Sequence, residues 1–297
     1  MILIPISKFD NNTALVYCTI SISLEIYNEI LIEHNFDTKI ISKNEINNYK
    51  NEILLLHITQ IGKEGILSYL ESNKIILINS ETYSNYGWKD YCSNKNIIEH
   101  KNLLMIWDYQ YQNINYIKQY FKNIYFVPPA FSIIYNKYYD NTNNNKTIDV
   151  LMYGTKNYRR SNIMCKLKEK NINTLFKTFH HLSSQNEMIS KTRIVLIINF
   201  YESNKPIDFY RISYLLSNKI FIIHEFMQKD DENINFMNNI VCCPYNEIVD
   251  RCIYYLKKSQ IELDNLAQKS YEFFKENYNT KNFINDEIKN ILVDHIN

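Results

Sequence analysis

The sequence predicts an α/β protein of two doubly wound parallel-sheet domains in succession, closed by a helical tail. Three observations carry this expectation. Short β-branched apolar runs such as Ile53-Leu54-Leu55-Leu56, Ile75-Ile76-Leu77-Ile78 and Ile194-Val195-Leu196-Ile197-Ile198 recur between polar residues, as strands buried on both faces do. Helical patterns follow most of them, which is the alternation that a parallel sheet with crossover helices requires. A polar, low-complexity tract from Asn141 to Lys146 then interrupts the alternation before it restarts, marking a linker.

In chain order, Ala14 to Cys18 is expected as a short strand. Ile20 to His34 follows as a helix, with Ile20, Leu24, Tyr27 and Leu31 on one face. The next strands are Thr38 to Ile41, Glu52 to His57, Lys74 to Asn79, Leu103 to Asp108 and Ile124 to Val127. Helices fall around Gly65 to Leu70 and through Ile114, Ile117 and Phe121, and Pro128-Pro129 stops the run. This bounds a first domain over 1–140. The second, 147–258, reads as strand 149–153, helix 157–169, strands near 172–178 and at 193–198, helix 207–217 and strand 219–224. A short strand from Ile240 to Cys242 and a helix from Tyr245 to Leu256 complete it. The tail, 259–297, is mostly helical, with Leu266, Phe273, Phe274, Phe283, Ile284, Ile288 and Leu292 facing inward.

Composition narrows the function classes. An apolar fraction of 45% and a charged fraction of 22% are those of a soluble globular chain. A net charge of +1 gives no general polyanion-binding surface, so no nucleic-acid partner is expected. The chain has only 4 glycines and no GxGxxG after its first strand, so a dinucleotide fingerprint is absent. None of its 6 cysteines forms a CxxC pair. They read as reduced thiols, and the expected location is the cytoplasm. No apolar run approaches a membrane span, and Met1 to Ile6 does not make a signal peptide. Heavy use of Asn, Ile, Lys and Tyr reads as AT-rich coding, as in a parasite, a protist or a large DNA virus.

The sharpest chemical signal is the unit opened by Asp149-Val150-Leu151-Met152-Tyr153-Gly154. A helix starts about three residues beyond Gly154, with Arg159 and Arg160 in its first turn. Cations there oppose the positive end of the helix dipole by roughly 0.3–1 kcal/mol each, and a helix start is an anion site. The pair is therefore expected to face a bound anion such as a diphosphate, with one of the two on a solvated face. Arg211, in a helix opened by Pro206 and Asp208, is a further candidate or else pairs with Asp208. Glu225 ends a buried strand, where it accepts from a ribose or sugar hydroxyl or serves as a cap or loop carboxylate.

Ligands of open parallel sheets sit beyond the carboxyl ends of the strands. In the first domain His57, Glu81 and Asp108 lie at such ends and are candidates for a general base. The alternatives are a satisfied core histidine, a cleft-lining glutamate and a helix-capping aspartate. Trp107, Tyr109 and Tyr111 offer sugar-stacking rings, with core packing as the stronger expectation. His180-His181 lacks partners at zinc spacing, and no metal site is expected.

The pattern Asp149–Gly154, Arg159-Arg160, Ile194–Asn199, Arg211–Leu216 and His224-Glu225, with Asn79-Ser80-Glu81 and Trp107-Asp108-Tyr109, resembles GT-B glycosyltransferases. The likeness is to the group 1-like branch of bacteria and giant viruses, and it spans roughly residues 75–225. It implies two Rossmann-like domains, with a tail packing back toward the first. It also implies a nucleotide-sugar donor held in the second domain by Gly154, Arg159, Arg160, Asn199, Arg211 and Glu225, and a glycan or other hydroxyl acceptor at the first. The nucleotide-sugar is then a co-substrate, with no separate cofactor and no metal. Arg211 stands where this branch usually has a second glutamate. Glu81 and Asp108 lie within the resembling stretches and rank ahead of His57 as the base. A nucleotide-sugar epimerase and a non-catalytic glycan- or partner-binding protein are the alternatives.

Overall fold

The computed structural model describes residues 1–6, 15–80, 94–137, 145–202, 207–226 and 234–296. Contacts divide the chain into two compact units. The first runs to Ala130 and takes in Tyr278–Asn297, and the second is built from Phe131–Asn277. The crossing at Ala130 comes ahead of the Asn141–Lys146 tract because the 3-10 turn Ile133–Lys137 already packs on the second unit. Tyr135 there sets its ring edge-on to Tyr214, with centroids 5.3 Å apart.

The first unit holds a parallel sheet of strands β1 (Ile2–Ile6), β2 (Thr38–Ser42), β3 (Ile53–His57), β4 (Lys74–Ile78), β5 (Leu103–Asp108) and β6 (Ile124–Phe126). Their order is β2-β1-β3-β4-β5-β6. Helices α1 (Leu15–Glu33), α2 (Ile58–Ser72), α3 (Lys95–Ile98) and α4 (Tyr111–Ile117) lie among them. β1 is not among the strands expected from the sequence, and its Pro5 is unusual in a central strand. It is tolerated because Ile2 N donates toward the β2 side, to Asp37 O at 2.8 Å. With period two, Pro5 turns its nitrogen toward β3, where pairing has already ended at Leu3.

The expected strand from Ala14 to Cys18 is instead the start of α1 for Leu15–Cys18. The run Ile20-Ser21-Ile22-Ser23 alternates like a strand, yet all four residues are buried. A helix enclosed on most sides keeps no polar stripe, so its sequence loses the period that would distinguish it.

The second unit holds β7 (Ile148–Tyr153), β8 (Thr174–Lys177), β9 (Thr192–Ile197), β10 (Ile222–Glu225) and β11 (Cys242–Cys243). The order is β11-β10-β9-β7-β8, again parallel. Its helices are α5 (Tyr158–Glu169), α6 (Leu182–Ser190), α7 (Phe209–Ser217), α8 (Ile234–Asn239), α9 (Ile248–Leu256) and α10 (Gln260–Asn277). α6 has no counterpart in the sequence reading: Leu182-Ser183-Ser184-Gln185 is a weak helix former, held by burial of Gln185, Asn186 and Ile189.

The expected tail divides. α10 belongs to the second unit, while α11 (Asp286–Ile296) belongs to the first. There Lys74 Nζ donates to His295 O at 3.0 Å and Phe283 sets its ring against Phe126.

Candidate functional site

In the second sheet the chain steps from β7 outward to β8, then returns to the other side of β7 as β9. The crevice beyond the carboxyl ends of β7 and β9 is therefore the switch point where open sheets bind ligands. Gly154 closes β7 there with φ +120°, and a Cβ on it would lie 3.3 Å from a guanidinium nitrogen of both Arg160 and Arg211. Glycine is needed twice over, for its backbone and for two cations that approach it. Gly154→Ala is expected to cost about 1–3 kcal/mol, read as a lower urea midpoint.

α5 places the arginines. Its cap Asn157 accepts Arg160 N at 2.9 Å and donates from Nδ2 to Phe200 O at 2.8 Å, tying the helix start to the exit of β9. Arg160 reaches across the crevice. Its Nε and Nη2 donate to Ile198 O at 2.9 and 2.7 Å, and its Nη1 donates to Thr155 O at 2.9 Å. Burial, then the charge of Arg211, pulls its pKa down to about 10. Arg159 makes a two-pronged pair with the fully buried Glu225 at the end of β10 and donates to Asn199 O at 3.1 Å. Its guanidinium lies 4.0 Å over the Tyr245 ring. Glu225 also accepts Asn199 N at 3.0 Å. Its carboxylate orients Arg159.

Arg211 pairs with Asp208, as one of its two expected readings had it. Its guanidinium lies 3.5 Å from Asp208, which also caps α7 by accepting Arg211 N at 3.1 Å. It also covers the Tyr153 ring at 4.9 Å beside Gly154. Gly154, Arg159, Arg160, Asn199, Arg211 and Glu225 thus gather at one sheet edge. Neither arginine of the pair is on the solvated face; that position falls to Tyr158, which is 87% exposed. Sequence reasoning gave no role to His224. It is fully buried with neither ring nitrogen hydrogen-bonded, and burial pushes its pKa down to about 4.

In the first unit, adjacent strands β3, β4 and β5 end at His57, Ile78 and Asp108, and Asn79 follows β4 directly. Asp108 is fully buried. Its Oδ1 accepts from Gln110 N at 2.8 Å and Asn113 Nδ2 at 3.1 Å, and its Oδ2 from Asn79 Nδ2 at 2.6 Å and Asn113 Nδ2 at 3.1 Å. Burial outweighs these bonds and raises its pKa to about 7. His57 Nδ1 lies 2.8 Å from Thr59 Oγ1, and burial lowers its pKa to about 3. Glu81 lies outside the described residues. Trp107 packs on Tyr27 and donates to Met105 Sδ, while Tyr111 stacks on Phe126 at 4.1 Å, so these two rings serve the core. Among the described residues no three His, Cys, Asp or Glu gather as metal ligands.

These shifts set a pH dependence. The unfolded chain takes up protons on His57 and His224 below their usual 6.5, whereas the folded chain does so only near 3 and 4. Both therefore remove stability as pH falls. Asp108 acts oppositely between 3.8 and about 7, because its folded form holds the proton more tightly. The urea midpoint is expected to fall from pH 6.5 toward 4, and more steeply in Asp108→Asn, where the opposing contribution is gone.

No family model and no curated protein matches this sequence. Solved structures do. The β-glucosyltransferase of phage T4, as a point mutant in complex with UDP-glucose, matches over 100% of both chains with TM-score 0.56 and 14% identity. The same enzyme with UDP and Mn2+ gives 0.55 and 14%, over 100% of this chain and 99% of that one. TarM of S. aureus, as a point mutant with fondaparinux, alpha-GlcNAc-glycerol and UDP, gives 0.54 and 12%. That match covers 93% of this chain, which spans only 59% of TarM. At such identities the likeness is one of fold, and the fold of this chain is the GT-B fold of glycosyltransferases.

Proposed function

We propose that this chain moves a sugar from a nucleoside diphosphate sugar to an acceptor hydroxyl. The observation that carries the proposal is the convergence of Arg160 and Arg211 on Gly154 at the switch point, with Arg159 held at Asn199 O on the exit of β9, in a fold shared with enzymes solved with UDP-glucose and UDP. Among the described residues three guanidiniums face two carboxylates, Glu225 and Asp208, which leaves positive charge for a diphosphate. Arg159 and Arg160 each commit three of five N–H groups to the protein, so donors remain for an anion. As the glycosidic bond breaks, negative charge grows on the departing diphosphate, and preformed cations stabilise it. The reading is metal-independent because these cations supply the compensation a divalent ion would.

The acceptor is a glycan or another hydroxyl compound. Although a β-glucosyltransferase of this fold is a DNA-modifying enzyme, a net charge of +1 favours a smaller or neutral acceptor here. The free thiols of Cys165, Cys242, Cys243 and Cys252 fit action in the cytoplasm. A nucleotide-sugar panel tests the reading. Free nucleotide is expected from one donor, with turnover unchanged by EDTA. An epimer would indicate an epimerase, and no product at all would indicate a binding protein.

A further inference from the structure

We propose that Gln110 is an acceptor-contacting residue, and that its carboxamide takes two neighbouring hydroxyls of a neutral polyhydroxy compound. The proposal deepens the sugar-transfer reading and rests on it for calling that compound an acceptor. Gln110 sits two residues past the end of β5, at the carboxyl edge of the first sheet. Its backbone is fixed, since its N–H donates to Asp108 Oδ1 at 2.8 Å. Its side chain is not satisfied. Gln110 is 5% exposed, and among the described residues neither Oε1 nor Nε2 has a hydrogen-bond partner. A buried amide left so carries the cost of its desolvation, and native chains keep such groups where a ligand or water completes them.

The carboxamide offers an acceptor and a donor side by side. A vicinal diol matches it, with one hydroxyl donating to Oε1 and the next accepting from Nε2. The surroundings select a neutral partner. Gln110 neighbours the carboxylate of Asp108, held by Asn79 and Asn113. A phosphate or carboxylate ligand at Gln110 would meet repulsion from that carboxylate, which a neutral diol does not.

Saturation-transfer NMR tests this with methyl gluco-, galacto- and mannopyranosides as probes, on the full chain without donor. At least one probe is expected to bind the wild type, and Gln110→Met is expected to weaken it about tenfold or more. The same variant is expected to unfold at an equal or higher urea concentration, since a buried unsatisfied amide has been removed. Gln110→Leu, of similar size, serves should the methionine variant not fold. Unchanged binding in the folded variant, or no probe bound by the wild type, overturns the proposal. Because the donor is absent, the two readings fail separately. Glycoside binding through Gln110 without nucleotide release would keep this inference and sink the transferase reading. Nucleotide release with Gln110-independent binding would do the reverse.

Discussion

Arg159→Met is expected to lower the unfolding free energy by about 3–5 kcal/mol, more than any other single change at the candidate donor site. The reason is what it leaves behind. Glu225 has no exposed surface, and its carboxylate is held by both prongs of the Arg159 guanidinium and by Asn199 N. Removing the cation leaves a buried carboxylate without its counter-ion, and its desolvation is no longer offset by the paired charge. Glu225→Gln alone removes the charge from the other side and is expected to cost less, since Arg159 keeps some exposure and Asn199 O as a partner. Urea unfolding of the two single variants and of Arg159→Met/Glu225→Gln closes the cycle. The double variant is expected to recover part of the loss, because no buried charge remains. If the Arg159 variant unfolds at the wild-type midpoint, the pair does not hold the β9–β10 exit, and the anion site lacks its support. In nucleotide binding the order changes. Arg160→Ala also frees Ile198 O and Thr155 O across the switch point, so it is expected to weaken binding about tenfold, read by calorimetry.

The donor side is legible in the sequence because its signals are local. A strand ending in glycine, a capped helix start and two arginines follow one another within Tyr153–Arg160, and α5 alone places them. Their partners are not legible. That Arg159 meets Glu225, 66 residues away, follows from β10 lying beside β9, and strand order is not written in any window of sequence. The strands β3, β4 and β5 are readable because they are buried on both faces, which gives continuous apolar runs. β1 goes unread and the start of α1 misleads because local signals there, such as Pro5 in β1, are overridden by tertiary burial. The orphan side chains of Gln110 and His224 have no sequence signal at all, since an unmade hydrogen bond exists only once the fold is assembled.

Glu81→Gln is expected to lose roughly 10²-fold or more in turnover at saturating donor, with nucleotide affinity and the urea midpoint unchanged. Asp108 is already occupied. A general base needs a lone pair for the proton it removes, and each oxygen of Asp108 already accepts two hydrogen bonds. A pKa near 7 would suit the task, but the geometry makes Asp108 a clamp that holds Asn79 at the end of β4. Glu81 follows two residues later, in the stretch that resembles glycosyltransferases. His57 is ordinarily basic enough, but with a pKa near 3 it is a weak acceptor of protons at neutral pH. Asp108→Asn turns an amide against the donors of Asn79 and Asn113, so it is expected to lower the urea midpoint and to reduce turnover only through that loss. The pH profile of kcat/KM separates the two carboxylates. A limb near pH 7 that vanishes in a folded Asp108→Asn variant, with Glu81→Gln still active, would transfer the base to Asp108. Near-normal turnover in both variants would exclude either carboxylate as base and fit a retaining reaction, in which no such base is required.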